Sequence, residues 1–218
     1  MVGNSTTRDY VIRRQFRSAE GDPFNPVEIR NSAERIRALG IFASADVTTR
    51  GLDNSSSVVV DVKVEETSTG SFGIGFTYSS DEGPGTSIKM SERNFLGKGQ
   101  FLSFDYASGT DSNRTHLNFR EPGFLNRDLT LGLKVGSKRT AQQFNAYDSE
   151  INEFEPSLTF PLSLRSRLKF SYRYSDETLT SKSTDLSPAV SAQLGTKQLN
   201  SLGYKYTFDT KKSTIDPN

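Results

Sequence analysis

The side chains best suited to covalent chemistry are few in this sequence and do not converge. His116 is the sole histidine, and it falls on the polar side of an alternating segment beside Asn118 and Arg120. Cysteine is absent, which removes thiolate nucleophiles, disulfides and Cys-based metal sites. With no second histidine, a triad or a zinc site has little to build on. Gly73-x-Gly75 lacks the succeeding helix that a dinucleotide loop needs, and the Gly-x-Ser-x-Gly nucleophile elbow does not occur. The carboxylates of Glu92, Asp105 and Glu121 each stand alone on a polar strand face, as charges lining a wet interior do. No catalytic residue, cofactor or metal ligand is expected, and the chain reads as a non-enzyme.

The elements around these residues organise themselves about one stretch, Thr69 to Tyr78. Phe72, Ile74, Phe76 and Tyr78 alternate there with Ser71, Gly73, Gly75 and Thr77, a strand of period two with one bulky apolar face and one nearly bare. A face so bare meets water, a lumen or another backbone at close approach. The residues before this strand carry a different pattern from those after it.

Before it, Val11, Ile12 and Phe16 fall on one face of a short helix predicted over Thr7 to Phe16, with Thr6 and Asp9 as a capping pair. Asn25 caps a second helix, with Pro26 and Glu28 in its first turn, Ile29, Ala33 and Ile36 on its buried face and Gly40 at its end. Two strands come next, Ile41 to Thr49 and Ser56 to Glu65, joined by a turn at Gly51-Leu52-Asp53-Asn54. Two strands alone are marginal in water, so a third is expected to be missing, ending just before the turn formers Gly3-Asn4.

After Glu66 the helical period gives way to eight alternating segments. They are Thr69 to Tyr78, Ser87 to Glu92, Phe101 to Ala107, Thr115 to Glu121, Leu129 to Val135, a weaker one ending in Leu158, Phe160 and Leu162, Leu168 to Tyr174, and Leu202 to Phe208. Every second connection is compact (Asn94 to Gly99, Pro122 to Asp128, Pro161 to Arg167), whereas the intervening ones are more variable and one, Thr180 to Gln198, reads as a long loop. Short turns on one side and longer loops on the other are the asymmetry of outer-membrane barrels. Phe95, Phe124, Tyr78, Tyr147 and Tyr174 lie near strand ends, where interfacial aromatics belong, although tryptophan is absent. Eight strands close a narrow barrel or form half of a wider one.

Composition agrees with this. The hydrophobic content of 33% and mean hydropathy of −0.57 suit a soluble protein and a membrane barrel alike, because every second barrel residue faces water. No apolar run approaches the ~20 residues of a spanning helix. A net charge of +1 with scattered Lys and Arg argues against nucleic acid as a partner. Met1-Val2-Gly3-Asn4 runs into a helical pattern without the charged region and apolar core of a signal peptide, so the chain is expected to be cytosolic or a piece of something longer; the strand pattern favours a piece.

Three groups of residues carry a family resemblance: Glu92-Arg93-Asn94-Phe95-Leu96-Gly97-Lys98-Gly99-Gln100, then Glu121-Pro122-Gly123-Phe124-Leu125, and finally Tyr206-Thr207-Phe208-Asp209-Thr210 with Asp216-Pro217. Together they closely resemble the BamA family of outer-membrane protein assembly factors. The stretches Thr7-Arg8-Asp9 to Arg13-Arg14 and Arg37-Ala38-Leu39-Gly40-Ile41-Phe42 resemble the last of that family's periplasmic POTRA domains. The resemblance implies an α+β POTRA domain lacking its first strand over residues 1–66. Over residues 67–218 it implies an all-β antiparallel transmembrane barrel, eight strands of a larger, sixteen-stranded one. The family's Val-Arg-Gly-Phe loop is absent, so the chain reads as an internal fragment.

The function so implied is folding and insertion of β-barrel proteins into the outer membrane of a Gram-negative bacterium, with the N-terminal domain in the periplasm. The partners implied are outer-membrane lipids, unfolded outer-membrane protein substrates and accessory lipoproteins. Ser71, Phe72, Gly73, Ile74, Gly75 and Phe76 would form the lateral-seam edge strand, bare on one face and so weakly packed, where a free edge templates an incoming strand. Arg93, Asn94, Phe95, Leu96, Gly97 and Gly99 would form the family's motif turn. Two other readings are a polypeptide-translocating pore of the same superfamily, of the two-partner secretion or translocation and assembly module type, and a soluble β-rich binding module.

Overall fold

A computed structural model describes residues 1–51, 57–79, 83–141, 147–163, 165–182 and 187–210. They fall into two compact units, Met1–Gly70 with Glu92–Phe101, and Ser71–Ser91 with Leu102–Asn218.

In the first unit, helix α1 (Asp9–Arg13) is shorter than its apolar spacing predicts, though Val11 and Ile12 are fully buried as that spacing requires. The predicted Thr6 and Asp9 capping pair does not form. Arg8 takes the N-cap position without a side-chain cap, while the Asp9 carboxylate accepts from the Asn4 amide at 2.7 Å. The backbone amides of Thr6 and Thr7 instead go to the carboxylate of Glu66, far along the chain. Helix α2 (Pro26–Ala38) starts where the sequence says it should. The Asn25 side-chain oxygen accepts from the amides of Val27 and Glu28 at 3.0 and 3.2 Å, satisfying two orphan donors of the first turn.

Strands β1 (Phe42–Gly51) and β2 (Val58–Glu66) pair antiparallel, with Val47 opposite Val62 and Ala45 opposite Val64. The turn predicted at Gly51 to Asn54 lies, beyond Gly51, outside the described residues. Val11, Ile12, Ile36, Ile41, Phe42, Ala45, Val62 and Val64 form the core, with Phe16, Leu39, Val47 and Val60 packed against it. Ile29, expected on the buried face of α2, is only half-buried. The third strand is present as a single residue. Val2 donates to the Val62 carbonyl and accepts from the Val64 amide, both at 3.0 Å, in a parallel bridge beside β2.

The second unit holds most of one antiparallel sheet of eight strands: β3 (Gly70–Ser79), β4 (Gly83–Phe95), β5 (Gln100–Gly109), β6 (Ser112–Pro122), β7 (Thr130–Thr140), β8 (Tyr147–Pro161), β9 (Ser166–Ser181) and β10 (Gly195–Phe208). All eight predicted strands are found, in chain order from β3 at one edge to β10 at the other. They run longer than their apolar segments because the alternation continues in polar residues. The stretch read as a long loop, Thr180 to Gln198, is partly ladder: Leu179 pairs with Gly195, and the hydroxyls of Thr178 and Thr196 meet at 2.9 Å. Threonine suits such a half-exposed ladder as well as an apolar residue does. A four-residue helix, α3 (Pro188–Ser191), lies in what remains of that loop.

The intervening connections vary in length, as the sequence suggests, and the shortest of those described leaves only Thr110 and Asp111 between β5 and β6. Pro156 sits inside β8, where the pairing with β9 skips Glu155 and Pro156. A proline has no N–H to give to a ladder.

Candidate functional site at the sheet edge

The two groups of residues singled out by sequence fall in different compact units, and each has a definite local geometry. Ser71 to Phe76 lie on β3, which has β4 as its hydrogen-bonded neighbour and ends the strand order of the sheet. Its outer edge is therefore unpaired among the described residues. Phe72, Ile74, Phe76 and Tyr78 project from one face, with Phe76 and Tyr78 more than 80% exposed. On the other face the Ser71 hydroxyl meets that of Ser91 at 2.8 Å.

The two glycines of β3 differ. A methyl group on Gly75 would come within 2.8 Å of the Ser87 hydroxyl, whereas one on Gly73 would meet nothing within 4 Å. The bare face predicted from sequence is thus a close approach at Gly75 and open space at Gly73.

Within the small unit, the motif turn is held by buried polar contacts. The Asn94 side chain donates to the Thr7 hydroxyl and accepts from the Gly99 amide, both at 2.8 Å. The Arg8 amide donates to the Gly97 carbonyl at 2.8 Å. Gly97 has φ +70°, and a Cβ there would lie 2.1 Å from the Thr6 carbonyl oxygen. Only glycine satisfies both the backbone conformation and the space. The Arg93 amide donates to the Thr69 carbonyl at 3.1 Å, tying the turn to the residue that precedes β3. Phe95 is half-buried and Leu96 exposed.

Glu66 closes the same region, receiving the Ser5 hydroxyl at 2.9 Å and the amides of Thr6 and Thr7 at 3.0 and 2.6 Å. Burial pushes its carboxyl up, but the hydrogen bonds from Thr7, Thr6 and Ser5 outweigh that and hold it at about 2. Sequence reasoning missed Glu66, because its partners are nearly sixty residues away and no local spacing points to them.

A second group missed by sequence lies on the polar face of β6 to β9. Glu153 takes Lys134 at 2.7 Å and stands 3.6 Å from His116, and Glu155 takes Arg173 at 2.7 Å and Lys169 at 3.6 Å. Gly136 makes room for the first cluster, since a Cβ there would lie 2.6 Å from the His116 ring. The signal was the shared polar parity of these residues, but only the register of β7 on β8 brings them together. His116 thus stands beside the Lys134–Glu153 ion pair on the polar face. No cluster able to hold a metal occurs among the described residues.

The class follows from the family models: the Omp85 superfamily domain matches residues 94–218, more than half of the chain, and the POTRA surface antigen repeat matches residues 1–67. The chain belongs to the Omp85 superfamily. Among its relatives, the outer membrane protein assembly factor BamA of Neorickettsia risticii is 25% identical over 93% of this chain, and that of Nitratidesulfovibrio vulgaris is 26% identical over 99%. The chain spans 27% of the length of each. BamA from Haemophilus ducreyi lacking POTRA domains 1–3 shares the fold at a TM-score of 0.70 and 20% identity, over 99% of this chain and 44% of that one. CdiB from Acinetobacter baumannii does so at 0.62 and 12%, over 94% and 41%.

Proposed function

We propose that residues 1–66 are the last POTRA domain, and residues 67–218 the N-terminal half of the barrel, of an outer-membrane protein assembly factor. The protein folds and inserts β-barrel proteins through strand templating at the free edge of β3, without covalent chemistry. What supports this reading is β3 itself: it pairs with β4 on one side, and in a closed barrel its other side meets the last strand, where a strand with Gly73 and Gly75 on one face packs weakly and the seam can open. Its outward N–H and C=O groups offer the ladder that an incoming strand lacks. In hydrocarbon those groups have no water to turn to, so each new strand that pairs with the edge avoids a large desolvation cost.

The names of the relatives, which call them outer membrane protein assembly factors, support the same reading. In this arrangement the POTRA domain lies in the periplasm and offers a surface to accessory lipoproteins, and the apolar strand faces meet outer-membrane lipid. Ser71 to Phe76 form the lateral seam, and Arg93 to Gly99 fix the turn after β4.

Because these 218 residues hold no cysteine, single cysteines report contacts directly once any cysteine elsewhere in the full-length protein is replaced. Phe72→Cys, Ile74→Cys and Phe76→Cys in the full-length protein will crosslink to the terminal strand of a stalled substrate. Equal crosslinking from Leu131→Cys or Phe170→Cys, on interior strands, would sink the seam.

A further inference from the structure

Among the described residues, three that are not glycine adopt left-handed backbone conformations: Leu96 (φ 55°), Leu125 (φ 57°) and Asn126 (φ 56°). Asparagine visits this region readily, but leucine does so at a steric cost. Both leucines occur in the same short pattern at the ends of strands, Phe95-Leu96-Gly97-Lys98 after β4 and Phe124-Leu125-Asn126-Arg127 after β6. In both turns the leucine side chain is exposed, 62% at Leu96 and 71% at Leu125. In water, then, the strained backbone returns no packing.

The strain is built in by the turns themselves. Around Leu125, the amides of Gly123 and Phe124 both donate to the Leu129 carbonyl, at 2.9 and 3.0 Å, and the Asn126 amide donates to Gly123 at 3.0 Å. Around Leu96, the amides of Gly97 and Lys98 donate to Asn94 and Phe95, at 2.9 and 3.1 Å. Strain held by such over-determined surroundings marks a position with a use.

The cations two residues later complete the pattern. Neither Lys98 nor Arg127 has an ion-pair partner among the described residues. The connections after β4 and β6 lie at the same end of the sheet, because successive strands alternate in direction. Leu162 and Arg165 stand in the connection after β8 at that end, with Leu162 exposed and in step with Phe160 on the apolar face. At Leu96 and Leu125, an exposed leucine two residues before a cation without an ion-pair partner among the described residues, at the rim of an apolar band, has the chemistry of a phospholipid interface: acyl chain below, phosphate above.

We propose that the turns after β4 and β6 are interfacial lipid anchors, in which Leu96 and Leu125 enter the acyl boundary of the leaflet they face while Lys98 and Arg127 take anionic phospholipid headgroups. The proposal rests on the membrane-spanning reading of the sheet and goes beyond the seam, since it concerns the opposite requirement, holding the sheet at a fixed depth.

The absence of tryptophan from these 218 residues provides the test, once any tryptophan elsewhere in the full-length protein is replaced by phenylalanine. Leu96→Trp, Leu125→Trp and, as a control for the spanning strands, Phe170→Trp are each placed in the full chain and reconstituted in vesicles of zwitterionic phospholipid with or without phosphatidylglycerol. Bromines placed ~5–10 Å below the headgroups should quench tryptophan at 96 and 125 roughly twofold. Deeper bromines should quench tryptophan at 170 most strongly. Phosphatidylglycerol should blue-shift the emission from position 125, and Arg127→Gln should remove that shift. Quenching at 170 without quenching at 96 and 125 overturns the anchors and leaves the spanning sheet standing. A blue-shifted but unquenched tryptophan at 125 means a protein contact and overturns them as well. No quenching at any position overturns both readings. Circular dichroism of each variant distinguishes these outcomes from a failure to fold, and Arg127→Gln with the native Leu125, read by loss of phosphatidylglycerol-dependent protection from proteolysis, tests the cation independently.

Discussion

The small unit and the sheet treat apolar side chains in opposite ways. Val11, Ile12 and Ile36 are wholly removed from solvent between two helices and two strands, whereas Phe76, Tyr78, Leu202 and Tyr204 stand 80% or more exposed along the two edges of the sheet. Every buried hydrophobic residue among those described belongs to the first 64 positions; the buried residues of the sheet are polar or glycine, Gln100, Ser103, Gly136 and Ser166 among them. Each large apolar side chain left in water forgoes about 1.5–3 kcal/mol of burial. A sheet that does this across eight strands is built for a solvent of hydrocarbon, with its ion pairs kept on the wet face. One chain thus carries two solutions to the same free-energy problem, burial against itself and burial against lipid.

Substitutions that treat the two units alike should break that contrast. Ile36→Ala should destabilise the small unit by about 2–5 kcal/mol in urea titrations, with or without detergent, because its surroundings cannot collapse into the space. In the sheet the environment decides instead. Phe170→Arg should cost about 2–4 kcal/mol in a bilayer, while Asn118→Arg, a charge on the polar face, should cost far less. Equal costs at 170 and 118 would mean that the apolar face does not meet lipid.

A second contrast is one of pH. Glu66 takes up a proton near 4.5 when unfolded and near 2 when folded, so between those values the unfolded state binds more protons and stability falls as pH falls. The stabilisation is complete above pH 4.5 and is lost progressively toward 2. Glu66→Gln should remove this part of the acid sensitivity of the small unit, read as thermal unfolding across that window. The smallest expected effect is at Gly73, where a methyl group meets open space and the backbone is not left-handed. Gly73→Ala should stabilise the strand by about 0.4–1 kcal/mol through the unfolded state and should slow opening of the seam, measured as lower crosslinking from Phe72→Cys.

Much of the architecture was legible because side-chain direction is a local property. Alternation marked all eight strands and assigned Phe72 or Phe170 to the apolar face, whatever the neighbours were. The start of α2 was legible for the same reason, since Asn25 caps amides two and three residues away. The turn at Arg93 to Gly99 could be picked out as a motif, but its use could not.

The tertiary structure alone decided the contacts between distant segments. The Thr6 and Asp9 pair at the start of α1 is unused, because Glu66 claims the amides beside it. Glu153 finds His116 and Lys134 only through strand register, which a period of two leaves free to slip. The ladder at Leu179 and Gly195 extends into a stretch whose composition reads as loop. Which strands are edges was likewise undecidable from alternation, since an edge strand and a central one carry the same faces and differ only in whether a neighbour takes their backbone hydrogen bonds. The sequence by itself determined the strands, their faces and the first turn of α2; the pairing of groups far apart in the chain was decided by the fold, because hydrogen bonds and ion pairs between them exist only once the backbone has brought them within reach.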